Sequence, residues 1–192
     1  MTESKSILLI GDSISVGYTP FVAELMAQQA KVSRIPPNGG DSANVLANLE
    51  AWLAAGAWDV VHFNCGLHDL RYCPEREAYQ VPLERYSENL LGIIAQLKCH
   101  TSAQLVWATT TPVVEERHNT SKPFHRFTKD VDAYNAAALD VVRAAQIAVD
   151  DLHAAVCNMG VERAVCGDGV HMEQRAYKEL AGAVRDSVAK LL

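Results

Sequence analysis

The sequence predicts an α/β protein, a three-layer α/β/α sandwich built on a parallel sheet. Short aliphatic runs alternate with segments of helical period, the pattern of successive βαβ units. The right-handed crossover rule then puts helices on both faces of the sheet. The chain has 192 residues and no repeats, low-complexity tracts or linkers. That length reads as one domain over 1–192, large enough to bury a core without disulfide or metal staples.

The elements follow in order. SILLI at 6–10 is the first strand, an uninterrupted apolar run that stops at Gly11-Asp12-Ser13. A helical segment over 18–30 leads to a second strand, KVSRI at 31–35, and a second helix over 42–55. DVVHFN at 59–64 is the third strand, followed by a helix over 82–99. AQLVWAT at 103–109 is the fourth strand. A long connection over 110–128 precedes a helix over 128–145, the last strand QIAVD at 146–150 and a final helix from about 172. The 110–128 stretch is too polar for core and longer than usual loops. It reads either as a solvated surface loop or as a substrate wall over the sheet's carboxyl edge.

Composition narrows the function. The net charge of −6 argues against a nucleic-acid or anionic-membrane surface, which needs clustered Lys and Arg. No apolar run approaches the roughly 20 residues that span a bilayer. The N-terminus carries no basic segment followed by a long apolar stretch and a cleavage site, so a cytoplasmic location is expected. The five cysteines, at 65, 73, 99, 157 and 166, contain no C-x-x-C and suit reduced thiols better than disulfides or a zinc site. Cys65, beside Gly66, reads as a small packed side chain rather than a nucleophile.

Several motifs are missing. There is no P-loop and no G-x-G-x-x-G after the first strand. The nucleophile elbow G-x-S-x-G nearly occurs at 11–15 but lacks its second glycine. No H-E-x-x-H occurs and the histidines lack metal-ligand spacing, so neither metal nor cofactor is expected.

A serine nucleophile needs a base, and the base needs an orienting group. Asp-x-x-His offers both and occurs three times: Asp59/His62, Asp150/His153 and Asp168/His171. The first pair sits on a strand, where residues three apart face opposite ways. The second follows the last strand and reads alternatively as a helix start capped by Asp150 or Asp151. The third lies in CGDGVHMEQRAY, where Gly167 and Gly169 free the backbone to turn both side chains one way, and is preferred.

Four stretches in order resemble the SGNH hydrolases, or GDSL esterases and lipases. Gly11-Asp12-Ser13 resembles the nucleophile block, and Gly40 in NGGDSANVLANL the second block, whose glycine supplies an oxyanion-hole amide. Gly66-Leu67-His68-Asp69 resembles the G-x-N-D block and Asp168-Gly169-Val170-His171 the D-x-x-H block. The resemblance implies a flavodoxin-like sheet of five parallel strands in an order such as 2-1-3-4-5. It further implies ester hydrolysis through an acyl-enzyme: Ser13 attacks, His171 relays the proton and Asp168 holds the imidazole. Ser13, Gly40 and His68 would form the oxyanion hole, with Asp12 tying down the turn. The departure is His68, where the family carries asparagine; a neutral imidazole keeps one N–H donor, and at its ordinary pKa of about 6.5 it would add a second pH dependence.

The substrate expected is a small-molecule ester. Nothing resembles a long acyl tunnel, and the 110–128 stretch contributes Glu115, Glu116, Arg117, His118 and Arg126. That mixture fits a short-chain, acetyl-type ester of a polar alcohol such as a carbohydrate. Lysophospholipase- or thioesterase-type hydrolysis is the alternative within the same chemistry. Outside it stand a non-catalytic binding module that lost turnover through His68, and a nucleotide or flavin binder sharing the sandwich.

Overall fold

The computed structural model describes residues 4–36 and 38–192. Its main sheet has five parallel strands: β1 (Lys5–Ile10), β2 (Ala30–Arg34), β3 (Val60–Phe63), β6 (Gln104–Ala108) and β7 (Ala148–Asp150). They lie in the order β2-β1-β3-β6-β7, which is 2-1-3-4-5 when only the main-sheet strands are counted. A two-stranded antiparallel hairpin, β4 (Tyr72–Cys73) and β5 (Ala78–Tyr79), stands apart. The helices are α1 (Ser13–Met26), α2 (Ser42–Leu53), α3 (Leu83–His100), α4 (Glu115–Ser121), α5 (Thr128–Ala144), α6 (Leu152–Met159), α7 (Val161–Ala164) and α8 (Gln174–Ala189).

Helix α8 packs against both α1 and α6, and α3 against both α2 and α5, giving the two outer layers. The covered sheet explains the unbroken apolar runs. Ile7 to Ile10 on β1 and Val60, Val61 and Phe63 on β3 are all fully buried, as strands covered on both faces require. Phe63 and Trp107 meet edge-to-face at 5.2 Å across the β3–β6 pair.

Register decides where the chemistry can sit. Ile10 pairs with Phe63, Phe63 with Trp107, and Ala108 with Asp150. The carboxyl ends of four strands therefore line one edge, the edge where open α/β sheets bind ligands. The stretches beginning at Gly11, Asn64, Thr109 and Asp151 all leave the sheet there.

The clearest difference from the sequence reading is α1, expected over 18–30 and found over Ser13–Met26. Asp12 caps it, its carboxylate accepting from the Ile14 amide at 2.9 Å, which satisfies a donor the helix leaves open. Gly17 sits inside the helix because a Cβ there would lie 2.2 Å from the Tyr177 ring of α8. Among the described residues no helix is long and apolar enough to cross a membrane. Nor does any group of three or more His, Cys, Asp or Glu side chains stand ready to hold a metal ion.

Candidate active site

Ser13 is the first residue of α1, directly after the Asp12 cap. The turn is locked twice, since the Ser15 hydroxyl also donates to the Asp12 carbonyl at 2.8 Å. Asp12 thus ties down the turn, as its place in the sequence suggested. The Ser13 amide lies in the first turn and has no acceptor among the described residues. At that end the helix dipole favours negative charge.

The preferred Asp-x-x-His pair closes on this serine. His171 Nε2 lies 2.9 Å from Ser13 Oγ, and His171 Nδ1 lies 2.5 Å from Asp168 Oδ2. The other carboxylate oxygen, Oδ1, accepts from the Val170 and His171 amides at 3.0 Å each. Burial works against the charge on Asp168, but the His171 ring and these two amides outweigh it and hold its carboxyl at about 2. An ionised, rigidly held carboxylate fixes the imidazole proton on Nδ1 and leaves Nε2 to accept from the serine.

Gly169 makes the turn possible. Its φ is +78°, and a Cβ would lie 2.6 Å from both the His118 nitrogen and the Val114 oxygen. The turn is thereby seated against the start of α4, where the Val114 amide donates to the Gly169 carbonyl at 2.8 Å.

The other two pairs do not form. Asp59 bonds Lys5 at 2.8 Å, while His62 reaches Asp150 at 2.9 Å in the core. It is Asp151 that caps α6, accepting from Ala154 N at 3.0 Å.

Gly40 has a φ of +65°, and its neighbour Gly39 donates to the Gly11 carbonyl at 2.9 Å, which holds this segment beside the end of β1. The Gly40 amide, however, is engaged by Asn38 Oδ1 at 2.9 Å. Behind it, Asp69 joins the second and third blocks: it accepts from the Ser42 amide at 2.9 Å and from the Ser42 hydroxyl. Burial pushes the Asp69 carboxyl up to about 7 against those two donors, with Asp41 adding to the rise.

His68 lines the same depression as Ser13 and His171. Burial, helped by Arg71 and Arg126, pushes its imidazole down to about 4. The expected second titration near 6.5 is therefore displaced, and His68 is neutral around pH 7. Its Nε2 lies 3.5 Å from Arg71 Nη2. Because arginine can only donate, the His68 proton belongs on Nδ1.

The 110–128 connection is a wall of this depression and is not a solvated loop. It contains α4, and Thr110, Thr111, Val113, Val114, His118 and Arg126 are buried. Its polar residues divide. Arg117 turns away to the Val165 carbonyl at 2.8 Å and to Glu162, and Glu115 Oε1 accepts from the Thr128 amide at the start of α5. His118, Lys122, Phe124 and Arg126 face the depression, whose volume is about 180 Å³. Burial pushes His118 down to about 4, with Arg126 adding to it.

Arg71 is the site neighbour the sequence reading missed. It follows His68 by three residues, a spacing that fits one turn of chain, but nothing else in the sequence marks it. Cys65 is buried, and desolvation pushes its thiol well up, which leaves it a packed side chain.

The profile of the GDSL-like lipase/acylhydrolase family matches residues 9–179, most of the chain and all four blocks. No relative matches among curated protein sequences. Among solved structures, a lipase/acylhydrolase from Enterococcus faecalis is similar at a TM-score of 0.82 and 20% identity, covering 98% of this chain and 97% of that one. An acetyl xylan esterase, AlAXEase, superposes with a TM-score of 0.78 at 16% identity, covering 95% of this chain and 99% of its own. The acetylxylan esterase Axe2 from Geobacillus stearothermophilus gives 0.76 at 18%, with coverage of 98% and 96%. At these identities the structural likeness speaks for the fold, while the profile match over residues 9–179 carries the family. The chain therefore belongs to the GDSL-like lipase/acylhydrolase family and is an ester-hydrolysing enzyme.

Proposed function

We propose that the protein is a serine esterase that removes a short acyl group from a polar alcohol through an acyl-enzyme, using Ser13, His171 and Asp168. The observation that carries this reading is the unbroken chain Ser13 Oγ–His171 Nε2–His171 Nδ1–Asp168 Oδ2, at 2.9 and 2.5 Å.

In the first half-reaction Ser13 Oγ bonds to the ester carbonyl carbon while its proton passes to His171 Nε2. The carbonyl π pair moves onto oxygen. When that pair returns, the carbon–alkoxy bond breaks and His171 gives its proton to the departing alcohol. In the second half-reaction water takes the alcohol's place, His171 again moves the proton, and the acid leaves Ser13. Asp168 stays ionised throughout and steadies the imidazolium.

The oxyanion would be met by the Ser13 amide, the Gly40 amide and His68 Nδ1–H. For Gly40 this requires the oxyanion to take the place of the Asn38 side-chain oxygen as acceptor. The depression of about 180 Å³ and its polar walls suit a short acyl group. The acetyl esterases among the structural neighbours favour an acetyl ester of a carbohydrate-like alcohol. An acyl-chain series of para-nitrophenyl esters tests this, run on wild type, Ser13→Ala and His171→Ala. Turnover falling from acetyl to octanoyl, and lost in both folded variants, supports the reading; preference for long chains would favour a lysophospholipase-type substrate.

A further inference from the structure

The depression around Ser13 carries an electrostatic feature that ester hydrolysis does not require. In a chain of net charge −6, its lining includes three cations, Arg71, Lys122 and Arg126, against a single carboxylate, Asp168, which is engaged with His171. The two further imidazoles there, His68 and His118, are both pushed down to about 4, so they are neutral near pH 7 and leave the three cations as they are.

Arg126 is only 4% exposed. Its Nε donates to the Leu67 carbonyl at 2.7 Å and its Nη1 to His118 Nε2 at 3.1 Å. Among the described residues no carboxylate lies within ion-pair distance of Arg126 or of Arg71. Asp12 and Asp168 act on Arg126 only at longer range, as do Asp12 and Asp41 on Arg71. Arg71 Nε is itself buried without a hydrogen-bond partner. Phe124 supports both guanidiniums, with Arg71 at 4.7 Å and Arg126 at 5.2 Å from its ring centre.

Burying a guanidinium without a counterion is costly. Placing a second one nearby adds repulsion, and desolvation together with Arg71 lowers Arg126 to about 10. Such an arrangement is relieved by an anion that arrives from outside. Each guanidinium is a planar fork of N–H donors, and a carboxylate, which can accept two such bonds, is the anion that matches it. Arg71 and Phe124 also border a second cleft of about 330 Å³, lined in addition by Cys73, Glu75, Arg76, Gln80 and Pro123. A substrate group too large for the inner depression has room beyond them.

We propose that the substrate is an anionic ester, carrying a carboxylate near the scissile carbonyl that Arg71 and Arg126 receive. The proposal rests on the esterase reading for its catalytic consequence, though the binding it predicts does not. The carboxylate can sit on the acyl or the alcohol side, and two matched pairs separate these. Monomethyl succinate against methyl succinamate places the charge on the acyl side. Para-acetoxybenzoate against para-acetoxybenzamide places it on the alcohol side.

At low salt, kcat/KM for the charged member of one pair is expected to exceed its neutral amide by roughly tenfold or more, the worth of a charge-assisted bond. In Arg71→Gln and Arg126→Gln that ratio falls towards one. The same pairs titrated calorimetrically into Ser13→Ala give a readout independent of turnover, with the charged member binding roughly tenfold tighter. Ratios at or below one for both pairs, in rate and in binding, overturn the proposal while leaving the esterase reading intact. A rate loss in Arg71→Gln that is equal for charged and neutral esters also overturns it, because the guanidinium would then serve the oxyanion. Tighter binding of the charged member without any hydrolysis upholds the anion site and refutes the esterase.

Discussion

The Val114 amide donates to the carbonyl of Gly169 at 2.8 Å, and this bond fastens the Asp168–His171 turn to the segment that walls the active-site depression. A methyl group at residue 169 would meet the Val114 oxygen and the His118 nitrogen, both backbone atoms, at a φ of +78°. Gly169→Ala is therefore expected to destabilise the protein by about 1–3 kcal/mol, read from urea unfolding. It also displaces His171 from Ser13, so activity at temperatures where the variant is folded should fall by roughly 10²-fold, as small misplacements do. Wild-type activity in a folded Gly169→Ala protein would show that the turn is not what positions His171.

In the oxyanion hole proposed above, His68 would donate from a neutral ring. His68→Ala is expected to lower kcat by about 10²–10³, the cost of one oxyanion donor, while His68→Asn costs little. Because burial and the two arginines hold His68 at about 4, it is already neutral at pH 5 and above. The kcat/KM profile of His68→Asn should then keep the wild-type shape between pH 5 and 8. A second inflection that disappears in this variant would contradict that placement.

Asp69 makes stability fall as pH rises. Its ordinary pKa is 3.8 and burial raises it to about 7, so between those values the native state holds a proton the unfolded chain has released. Stability then decreases with pH across that window, by about 4 kcal/mol for this group alone. Burial also raises Asp12 and Asp130, which act in the same direction. The contribution of Asp69 is therefore the difference between wild type and Asp69→Asn, measured by urea unfolding at pH 4 and pH 7.5. The variant should show the smaller drop; equal drops would mean that Asp69 is ionised throughout.

Most of the sheet was legible because burial on both faces leaves a simple record. SILLI and DVVHFN read as strands from their apolar runs, and the edge where they end predicted where Ser13, His68 and His171 would meet. The start of α1 was not legible in the same way. Ile14, Val16 and Gly17 are weak helix formers, and packing on Tyr177 overrides them; the Asp12 cap was the available signal. Helix α4, seven residues of EERHNTS, has no apolar period, since it is held by the Gly169 turn and not by a core-facing stripe. The guanidinium pair was hidden for another reason. Arg71 and Arg126 are 55 residues apart in the sequence, and only the fold puts them on one aromatic ring.

In the proposed mechanism Ser13, His171 and Asp168 act as a unit, so their deletions should not add. Ser13→Ala and His171→Ala are each expected to cost roughly 10⁴-fold or more in kcat, and the double variant no more than either. A double variant markedly slower than both singles would mean that the two residues act in separate steps.

The most direct test is covalent capture of the proposed nucleophile, Ser13. After incubation with a serine-reactive phosphonate, intact-mass and peptide analysis should find one adduct, on Ser13, formed much more slowly in His171→Ala and absent in Ser13→Ala. Hydrolysis of esters by a protein that takes up no phosphonate, or takes it up at another residue, would contradict the account.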